Sequence, residues 1–489
     1  MAIKLYHEHP LRILKYSAKN IWLLIFPLLR GIKSIRLDAD RFYQWVRGAW
    51  FDIAVIGIII VFGYVRWHFS GIELTDDKVI RWEGIIGKVK TTIPYKNISS
   101  VTIEKPVYLM PLQAIKFSCD TSAGIYRSVD MKIMVNKKFC DDFLSRVPDV
   151  NQKNKLQNIP ETTHLSVLLF SLFFSSGFSG TVYIATFFMK GGNIARDIIN
   201  VSLDKITQTS EKITNNLIIH IPSATILVGI LFIVAWFVSF IVNFQRYAGF
   251  KVECDEYCIK VLCGLINRRE YRITSAHINY TDLRQNLIMK FFGAVAVNIS
   301  CAGYGSSKNH LPVLLPVKKE ENLGENLEKI GIFGGIRNDF RPKSDGWWQY
   351  IWQPVIISLL IFPVHIFIKR FVPEIAELSF FFAIMLEIPV LWLITIKLTA
   401  FFTSGISVYD NKIMVRCSQM TSFHTVVAEK QKLVKFEIQQ PVLQKISGKC
   451  SIILWFSGEE RAHFKVKSMR VDDVKIISEM LGYKTAENL

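Results

Sequence analysis

Charged residues are scarce in this chain: Asp, Glu, Lys and Arg together make up only 20% of its 489 residues. A soluble globular protein usually carries about 25% charged residues. Half of the sequence is hydrophobic, with 35 Phe and 11 Trp, and the mean hydropathy is +0.27. The apolar residues are grouped in long runs. This composition indicates a membrane protein rather than a soluble multidomain enzyme.

Motifs of catalysis and metal binding are also lacking. The chain has no Gly-x-x-x-x-Gly-Lys-Ser/Thr, His-Glu-x-x-His or Gly-x-Ser-x-Gly sequence. None of the eight cysteines belongs to a Cys-x-x-Cys pair, which favours structural thiols in a reducing compartment over disulfides or a metal site. His7-Glu8-His9 lacks further ligands. We therefore expect no cofactor, no metal and no catalytic residue.

Basic residues outnumber acidic ones, with 59 Lys and Arg against 41 Asp and Glu and a net charge of +18. In a membrane protein this excess is explained by Lys and Arg that lie on the cytoplasmic side and face anionic lipid. Zinc-finger spacing, an RNP-like aromatic motif and a DNA-binding basic helix are absent from the sequence. Membrane lipids are therefore the expected partner, and nucleic acid is not.

The apolar runs predict about six transmembrane helices in three pairs. A spanning helix needs about 20 mostly apolar residues, and five stretches meet this requirement: 49–69, 164–189, 218–244, 348–368 and 378–402. The sixth, 20–29, is short and contains Pro27. It is either a tilted span or a re-entrant, interfacial helix, and the sequence leaves both readings open.

Each pair of spans is followed by a basic and apolar stretch, so that the pattern occurs three times. This predicts membrane hairpins at 1–69, 163–244 and 347–402, and modules 1, 2 and 3 at 70–150, 245–335 and 403–486. The modules are rich in Lys and Arg, which assigns them to the cytoplasm. The basic loop after segment 20–29 disagrees with this topology unless that segment is re-entrant.

Each module begins with two alternating strands around an acidic turn, at Asp76-Asp77, Asp255-Glu256 and Asp410-Asn411. Further strands follow, and helical patterns end the modules at 137–147, 323–330 and 471–481. Many short strands closed by one helix are typical of a pleckstrin-homology-like (PH-like) β-barrel. The expected fold class is an α+β membrane protein whose three helix pairs each precede one PH-like barrel.

Several local sequences resemble the bacterial PH-like membrane proteins of the YdbT type. They are His9-Pro10-Leu11, the stretch 74–84, the stretch 93–101 and Asp120-Thr121-Ser122-Ala123-Gly124. Modules 2 and 3 are similar mainly in layout. The resemblance implies a multi-pass protein of the bacterial plasma membrane that often works beside a smaller, single-module PH-like membrane protein. It also implies a link to protection against antimicrobial peptides, and it brings no catalytic residues.

Two sets of residues are candidates for function. Glu387 lies inside the last predicted span, where an ionisable group costs about 2.5–3.5 kcal/mol, and His365 is its candidate partner. They form either a proton-linked or peptide-contacting site, or a satisfied interhelical hydrogen bond, or Glu387 is protonated against lipid. Two basic groups are candidates for binding lipid headgroups or are solvated strand faces: Lys88, Lys90 and Lys96, and Arg268, Arg269 and Arg272.

The sequence therefore predicts a non-enzymatic membrane scaffold with three cytoplasmic modules. On the resemblance, it acts with the smaller PH-like protein in resistance to membrane-active peptides. The alternative is a component of a transporter or exporter that binds or expels such a peptide through the membrane region. In that case Glu387 and His365 lie on the path.

Overall fold

The computed structural model describes residues 4–15, 17, 39–85, 87–122, 129–147, 157–158, 164–173, 223–255, 257–304, 313–319, 339–409, 411–458 and 462–483. The predicted segment 20–29 and the predicted helix 323–330 lie outside these residues. Nine α-helices are described: α1 (Ala39–His68), α2 (Lys137–Leu144), α3 (His164–Phe173), α4 (Ser223–Tyr247), α5 (Leu287–Phe291), α6 (Trp348–Phe371), α7 (Ala376–Thr403), α8 (Val442–Ile446) and α9 (Val471–Met480).

Two helices of the described residues are long and apolar enough to cross a membrane, Ser344–Phe371 and Phe382–Thr403. The expectation of six such helices is therefore wrong for the described ranges. The apolar helical segments 53–68 and 231–247 are shorter. The greater part of the predicted span 164–189 lies outside the described residues.

Twenty strands form antiparallel sheets. They are β1 (Lys4–Tyr6), β2 (Gly71–Leu74), β3 (Lys78–Glu83), β4 (Val89–Pro94), β5 (Ile98–Pro106), β6 (Ile115–Thr121), β7 (Met131–Val135), β8 (Gln157–Asn158), β9 (Lys251–Cys254), β10 (Cys258–Cys263), β11 (Asn267–Thr274), β12 (Tyr280–Asn286), β13 (Ala294–Ser300), β14 (Val313–Lys319), β15 (Gly405–Tyr409), β16 (Lys412–Gln419), β17 (Ser422–Glu429), β18 (Leu433–Gln439), β19 (Lys449–Phe456) and β20 (Ala462–Arg470). The predicted acidic hairpins are confirmed as β2–β3, β9–β10 and β15–β16.

Every module contributes two groups of three strands. The strand orders of the four sheets are β1-β2-β3-β4, then β7-β6-β5-β11-β10-β9-β8, then β14-β13-β12-β17-β16-β15, and finally β18-β19-β20. The second and third sheets thus each contain strands of two modules. The expected closed barrels are not found in the described part of the chain. In modules 1 and 2 the fourth strand pairs with the next module rather than with the third strand of its own module, and in module 3 the fourth strand lies at the edge of a three-stranded sheet.

Each module nevertheless keeps a hydrophobic core of its own. In module 1, Phe117 of β6 contacts Phe139 and Phe143 of α2, with ring centroids 5.5 and 4.8 Å away. In module 3, Val474 and Ile477 of α9 are buried in the core of that module. The helices α2 and α9 confirm two of the predicted closing helices. Each of them packs on its core because its apolar face would otherwise be exposed to water.

All eight cysteines are buried and unbridged. Burial raises the pKa of the Cys140 thiol to about 12. The thiolate form, which is the reactive one, is therefore disfavoured at neutral pH. This agrees with the expectation of structural thiols.

We expect Phe117→Ala to destabilise module 1 by about 3–5 kcal/mol, because it leaves a cavity between β6 and α2. The Phe117 side chain is fully buried. Tyr108→Ala is the matched control, since the ring of Tyr108 is 66% exposed in the same module. Hydrogen exchange of the amides in β5–β7 measures the difference. Equal protection in the two variants would contradict this account of the core.

Candidate functional site

The modules are joined by backbone pairing of their strands. In joint 1, β5 of module 1 pairs with β11 of module 2 over seven residue pairs. In joint 2, β12 of module 2 pairs with β17 of module 3 over six residue pairs. Both pairings are antiparallel. The three modules therefore form a row. Each joint in this row connects the fourth strand of one module to the third strand of the next.

The two joints have the same register. A short 3-10 turn separates the third and fourth strands of each module, and these turns are Tyr95–Asn97, Ser275–His277 and Lys430–Lys432. In joint 1, Tyr271 pairs with Thr102. Tyr271 lies four residues before the turn of module 2 begins, and Thr102 lies seven residues after the turn of module 1 begins. In joint 2, Val426 and Asp282 occupy the same two positions and also pair. The joint is thus a repeated geometry.

Side chains reinforce joint 1. The Arg269 Nε lies 3.2 Å from the Glu104 Oε1 of the other module. The Ser100 Oγ donates a hydrogen bond of 2.6 Å to the carbonyl oxygen of Ala302, and the Thr274 Oγ1 donates one of 3.2 Å to the carbonyl oxygen of Ile98. Since Ser100 is buried, its hydroxyl loses contact with water, and the Ala302 carbonyl replaces water as the hydrogen-bond acceptor.

Gly303 permits the close approach of the two modules in joint 1. Its φ is +79°, and a Cβ atom at this position would collide with the Ser100 hydroxyl and the Asp120 carboxylate of module 1. Gly303-Tyr304-Gly305 has the sequence of a turn, and the structure adds that the Gly303 backbone is packed against another module. A side chain is excluded here for both reasons.

Joint 2 contains a buried polar pair. The His424 Nδ1 of β17 lies 2.8 Å from the Asp282 Oδ2 of β12, and both residues are buried. The pair joins strands of different modules, as Arg269 and Glu104 do in joint 1. Neither pair could be predicted from the sequence, because the two partners lie in different modules.

The structure separates the two predicted basic groups. Lys88, Lys90 and Lys96 are exposed at β4 and the turn that follows it. Arg269 is engaged with Glu104 in joint 1, and the Arg272 Nε lies 2.8 Å from Glu270 Oε1. Arg268 is exposed. Two of the three arginines are therefore held by carboxylates, and the lysines present the larger exposed charge.

Glu387 and His365 lie on facing helices of the third membrane hairpin, but they do not bond to each other. The Ser358 Oγ of α6 donates a hydrogen bond of 2.5 Å to Glu387 Oε1. The His365 Nδ1 lies 2.8 Å from the Ser379 Oγ of α7. Each group thus has a serine partner across the hairpin. The Glu387 Oε2 is buried and makes no hydrogen bond within the described residues.

The sequence also did not predict that an apolar turn follows the fourth strand of every module. The three apolar turns are Val107–Leu112, Leu287–Phe291 with Phe292, and Val442–Ile446. They expose Tyr108 to 66%, Phe291 to 86% and Ile446 to 80%. Each is only about five or six residues long, which is too short for a periodicity signal.

The second and third apolar turns lie near the ends of membrane helices. The Gln444 Nε2 of the third turn donates a hydrogen bond of 2.5 Å to Gln349 Oε1 in the first turn of α6. Leu287 of the second turn packs against a cluster that includes Tyr350 of α6 and Phe401 of α7. Exposed aromatic and aliphatic side chains at this level fit the headgroup region of a bilayer.

The N-terminal residues are clamped to module 1. Buried Glu8 forms ion pairs with Arg12 and with Arg81 of β3. Its backbone oxygen accepts a hydrogen bond of 2.7 Å from the Trp67 Nε1 of α1. Burial raises the pKa of Glu8, against the opposing effect of the two guanidinium groups. The His9-Pro10-Leu11 motif follows directly, and Leu11 packs on a small cluster of module 1.

Two regions of the chain are similar to a known protein family. Residues 24–143 and 216–329 match the Bacterial PH domain family. The two matched regions contain the first and second modules together with the helices that precede them, and these parts of the chain are similar to bacterial PH domains. A curated relative is the transmembrane protein YdbT of Bacillus subtilis (strain 168), 27% identical over 157 residues. The match spans only 31% of each chain. No solved structure matches.

These matches confirm the family resemblance. The chain is thus related to the transmembrane protein YdbT, contains two regions similar to bacterial PH domains, and has two described helices that are long and apolar enough to cross a membrane. Within the described ranges, no group of three or more His, Cys, Asp or Glu residues is arranged to hold a metal ion. The repeated joint, the apolar turns and the polar hairpin are thus the structural features available for function.

We expect Gly303→Ala to weaken joint 1 more than Gly249→Ala weakens module 2. Both glycines have positive φ, which costs a non-glycine residue about 1–2 kcal/mol. Only at position 303 would the added Cβ also collide with module 1, whereas nothing lies within 4 Å of the Cβ position at Gly249. Hydrogen exchange of the amides in β5 and β11 measures the effect. Similar exchange in both variants would show that the close approach is not required.

Proposed function

We propose that this protein is a non-enzymatic integral membrane scaffold. Its three PH-like modules lie on the cytoplasmic face, each preceded by a membrane hairpin. It acts with a smaller PH-like membrane protein in resistance to membrane-active antimicrobial peptides. The third hairpin corresponds to α6 and α7, which contain the two described helices that are long and apolar enough to cross a membrane.

The repeated joint carries this proposal. An enzyme places a few side chains around a pocket, whereas here the repeated feature is a backbone connection that fixes three modules relative to each other. The modules are also tied closely to their helices. Only Phe69 and Ser70 separate α1 from β2, and only Ser404 separates α7 from β15. A rigid row of binding modules on membrane helices is suited to assembling other components at the bilayer.

The apolar turns and the exposed lysines support contact with lipid. Tyr108, Phe291 and Ile446 each belong to the apolar turn of their module and are largely exposed. Apolar side chains inserted into the headgroup region, together with Lys near anionic lipid, give additive membrane affinity. Lys88, Lys90 and Lys96 are the basic residues best placed for this role, because none of them is buried.

One observation favours a transport role as the second candidate. Glu387 Oε2 is buried inside the third hairpin without a hydrogen-bond partner among the described residues. An unsatisfied carboxylate oxygen within a membrane span is unfavourable and is often retained for function. In this alternative, the hairpins form a path or a lateral groove for the peptide, and Glu387 and His365 contact it.

Cell survival under a synthetic cationic amphipathic peptide separates the two candidates. We expect truncation after Phe402, which removes module 3, to abolish tolerance, because joint 2 is lost. We expect Glu387→Gln to retain it, with Glu374→Gln in the exposed turn between α6 and α7 as the matched control. Membrane fractionation verifies insertion of every variant. Loss of tolerance in a stably inserted Glu387→Gln protein alone would favour transport and contradict the scaffold.

The topology has its own test. A fluorescent protein and an alkaline phosphatase, fused separately after Leu489, report the side on which module 3 lies. We expect fluorescence and no phosphatase activity, because the Lys-rich and Arg-rich modules belong on the cytoplasmic side. An active phosphatase fusion would refute the cytoplasmic modules.

A further inference from the structure

Two of the strand edges at the ends of the row of modules belong to a third and a fourth strand. The strand β4 is the last strand of the sheet β1-β2-β3-β4, and β18 is the last strand of the sheet β18-β19-β20. Within the described residues, no strand pairs with the outer edge of either one. An open edge presents unpaired N–H and C=O groups and is a template for another strand.

These two edges are of complementary kinds. Each joint connects a fourth strand, β5 or β12, to a third strand of the next module, β11 or β17. Module 1 leaves a third strand, β4, and module 3 leaves a fourth strand, β18. The row therefore ends in one edge of each kind. The outer edge of β18 corresponds to the surface that receives a neighbouring module in modules 1 and 2.

We propose that the β18 edge of one copy binds the β4 edge of a second copy, by a third joint with the geometry of joints 1 and 2. Association by strand addition draws its affinity from main-chain hydrogen bonds and requires no particular side chains. The occupant is a second copy because this chain carries both halves of the joint. The contact is heterologous, so two copies close into a ring or several form a longer assembly.

The register of the third joint follows from the first two. Thr91 lies four residues before the turn of module 1 begins, and Glu437 lies seven residues after the turn of module 3 begins. In the proposed joint these two residues are therefore directly opposite each other. The adjacent pairs are Thr92 with Phe436 and Lys90 with Ile438. This register places no like charges directly opposite each other. Pro94, which has no N–H to donate, stands one residue beyond the part of the third strand that joints 1 and 2 use.

The exposed side chains of the two edges agree with an uncovered interface. Val89 of β4 is 60% exposed and Val434 of β18 is 67% exposed. Lysines on edge strands usually discourage pairing. Here, however, the Lys435 ammonium lies 2.6 Å from Glu437 Oε2 of its own strand, and Lys90 faces the apolar Ile438 in the proposed register. The charges therefore leave this register accessible.

Engineered disulfides in the full-length protein in its membrane test the proposal. Two differently tagged copies are co-expressed, one with Thr91→Cys and the other with Glu437→Cys, and then oxidised. Directly opposite residues of an antiparallel pair have Cα atoms about 4.5–5.5 Å apart, within disulfide reach. We expect a covalent dimer that carries both tags. The eight native cysteines are buried, so the introduced thiols dominate the reaction.

Two controls make the result decisive. Glu104→Cys with Arg269→Cys in one chain lies across joint 1 and should form an intramolecular disulfide without a change in mass. Thr91→Cys with Lys435→Cys in separate copies is two residues out of register and should give at least about fivefold less dimer, because diagonal positions exceed the disulfide distance.

Three outcomes would overturn the proposal. They are no dimer although the joint 1 control closes, equal dimer in and out of register, and capture of a separate PH-domain protein by Glu437→Cys without dimer of this chain. The inference rests on the proposed function only in that all modules share one membrane face. The two proposals fail separately, because peptide tolerance is measured by survival and the third joint by the covalent dimer.

Discussion

The architecture depends on the need of a β-strand to satisfy the N–H and C=O groups of its edges. Each group of three strands has two edge strands, whose outward N–H and C=O groups need partners. The strands β5 and β12 resolve this by pairing with β11 and β17 of the following modules. The same hydrogen bonds that complete each sheet therefore also fix the order and spacing of the modules, and side chains such as Arg269 and His424 add to a connection that the backbone makes.

Inside the third membrane hairpin the same requirement is met by side chains. Glu387 and His365 each face a serine of the opposite helix, which holds α6 and α7 together at two levels about two turns apart. A bilayer demands that backbone groups also be bonded within the helices, and Pro354, Pro363 and Pro389 each remove one N–H donor from them. Among the described side chains of this hairpin, the one buried oxygen without a hydrogen bond is Oε2 of Glu387. The hairpin therefore has both a structural polar contact and a polar atom that packing alone does not explain.

The local features of the fold were predictable from the sequence, and its long-range pairing was not. The hairpin of β2 and β3 follows from its alternating apolar residues and its acidic turn, and the helices α2 and α9 follow from helical periodicity. All of these signals act within about ten residues. Joint 1 depends on two strands of different modules whose backbone groups look alike in any sequence. Arg269 was consequently assigned to lipid, because nothing near it in the chain indicates Glu104. Glu387 was recognised by its charge, whereas Ser358 is an ordinary residue in an apolar helix and gave no signal.

The linker between α7 and module 3 is the single residue Ser404, whose hydroxyl donates a hydrogen bond of 2.6 Å to the carbonyl oxygen of Ala400. The helix thus runs into β15 with no flexible segment. Membrane helices adjust their tilt when the bilayer thickens or thins, and a stiff connection converts tilt into rotation of the attached body. Through joint 2, module 2 is coupled to that rotation. If the bilayer changes the tilt of the third hairpin, module 3 has to turn with α7, and joint 2 has to carry module 2 along.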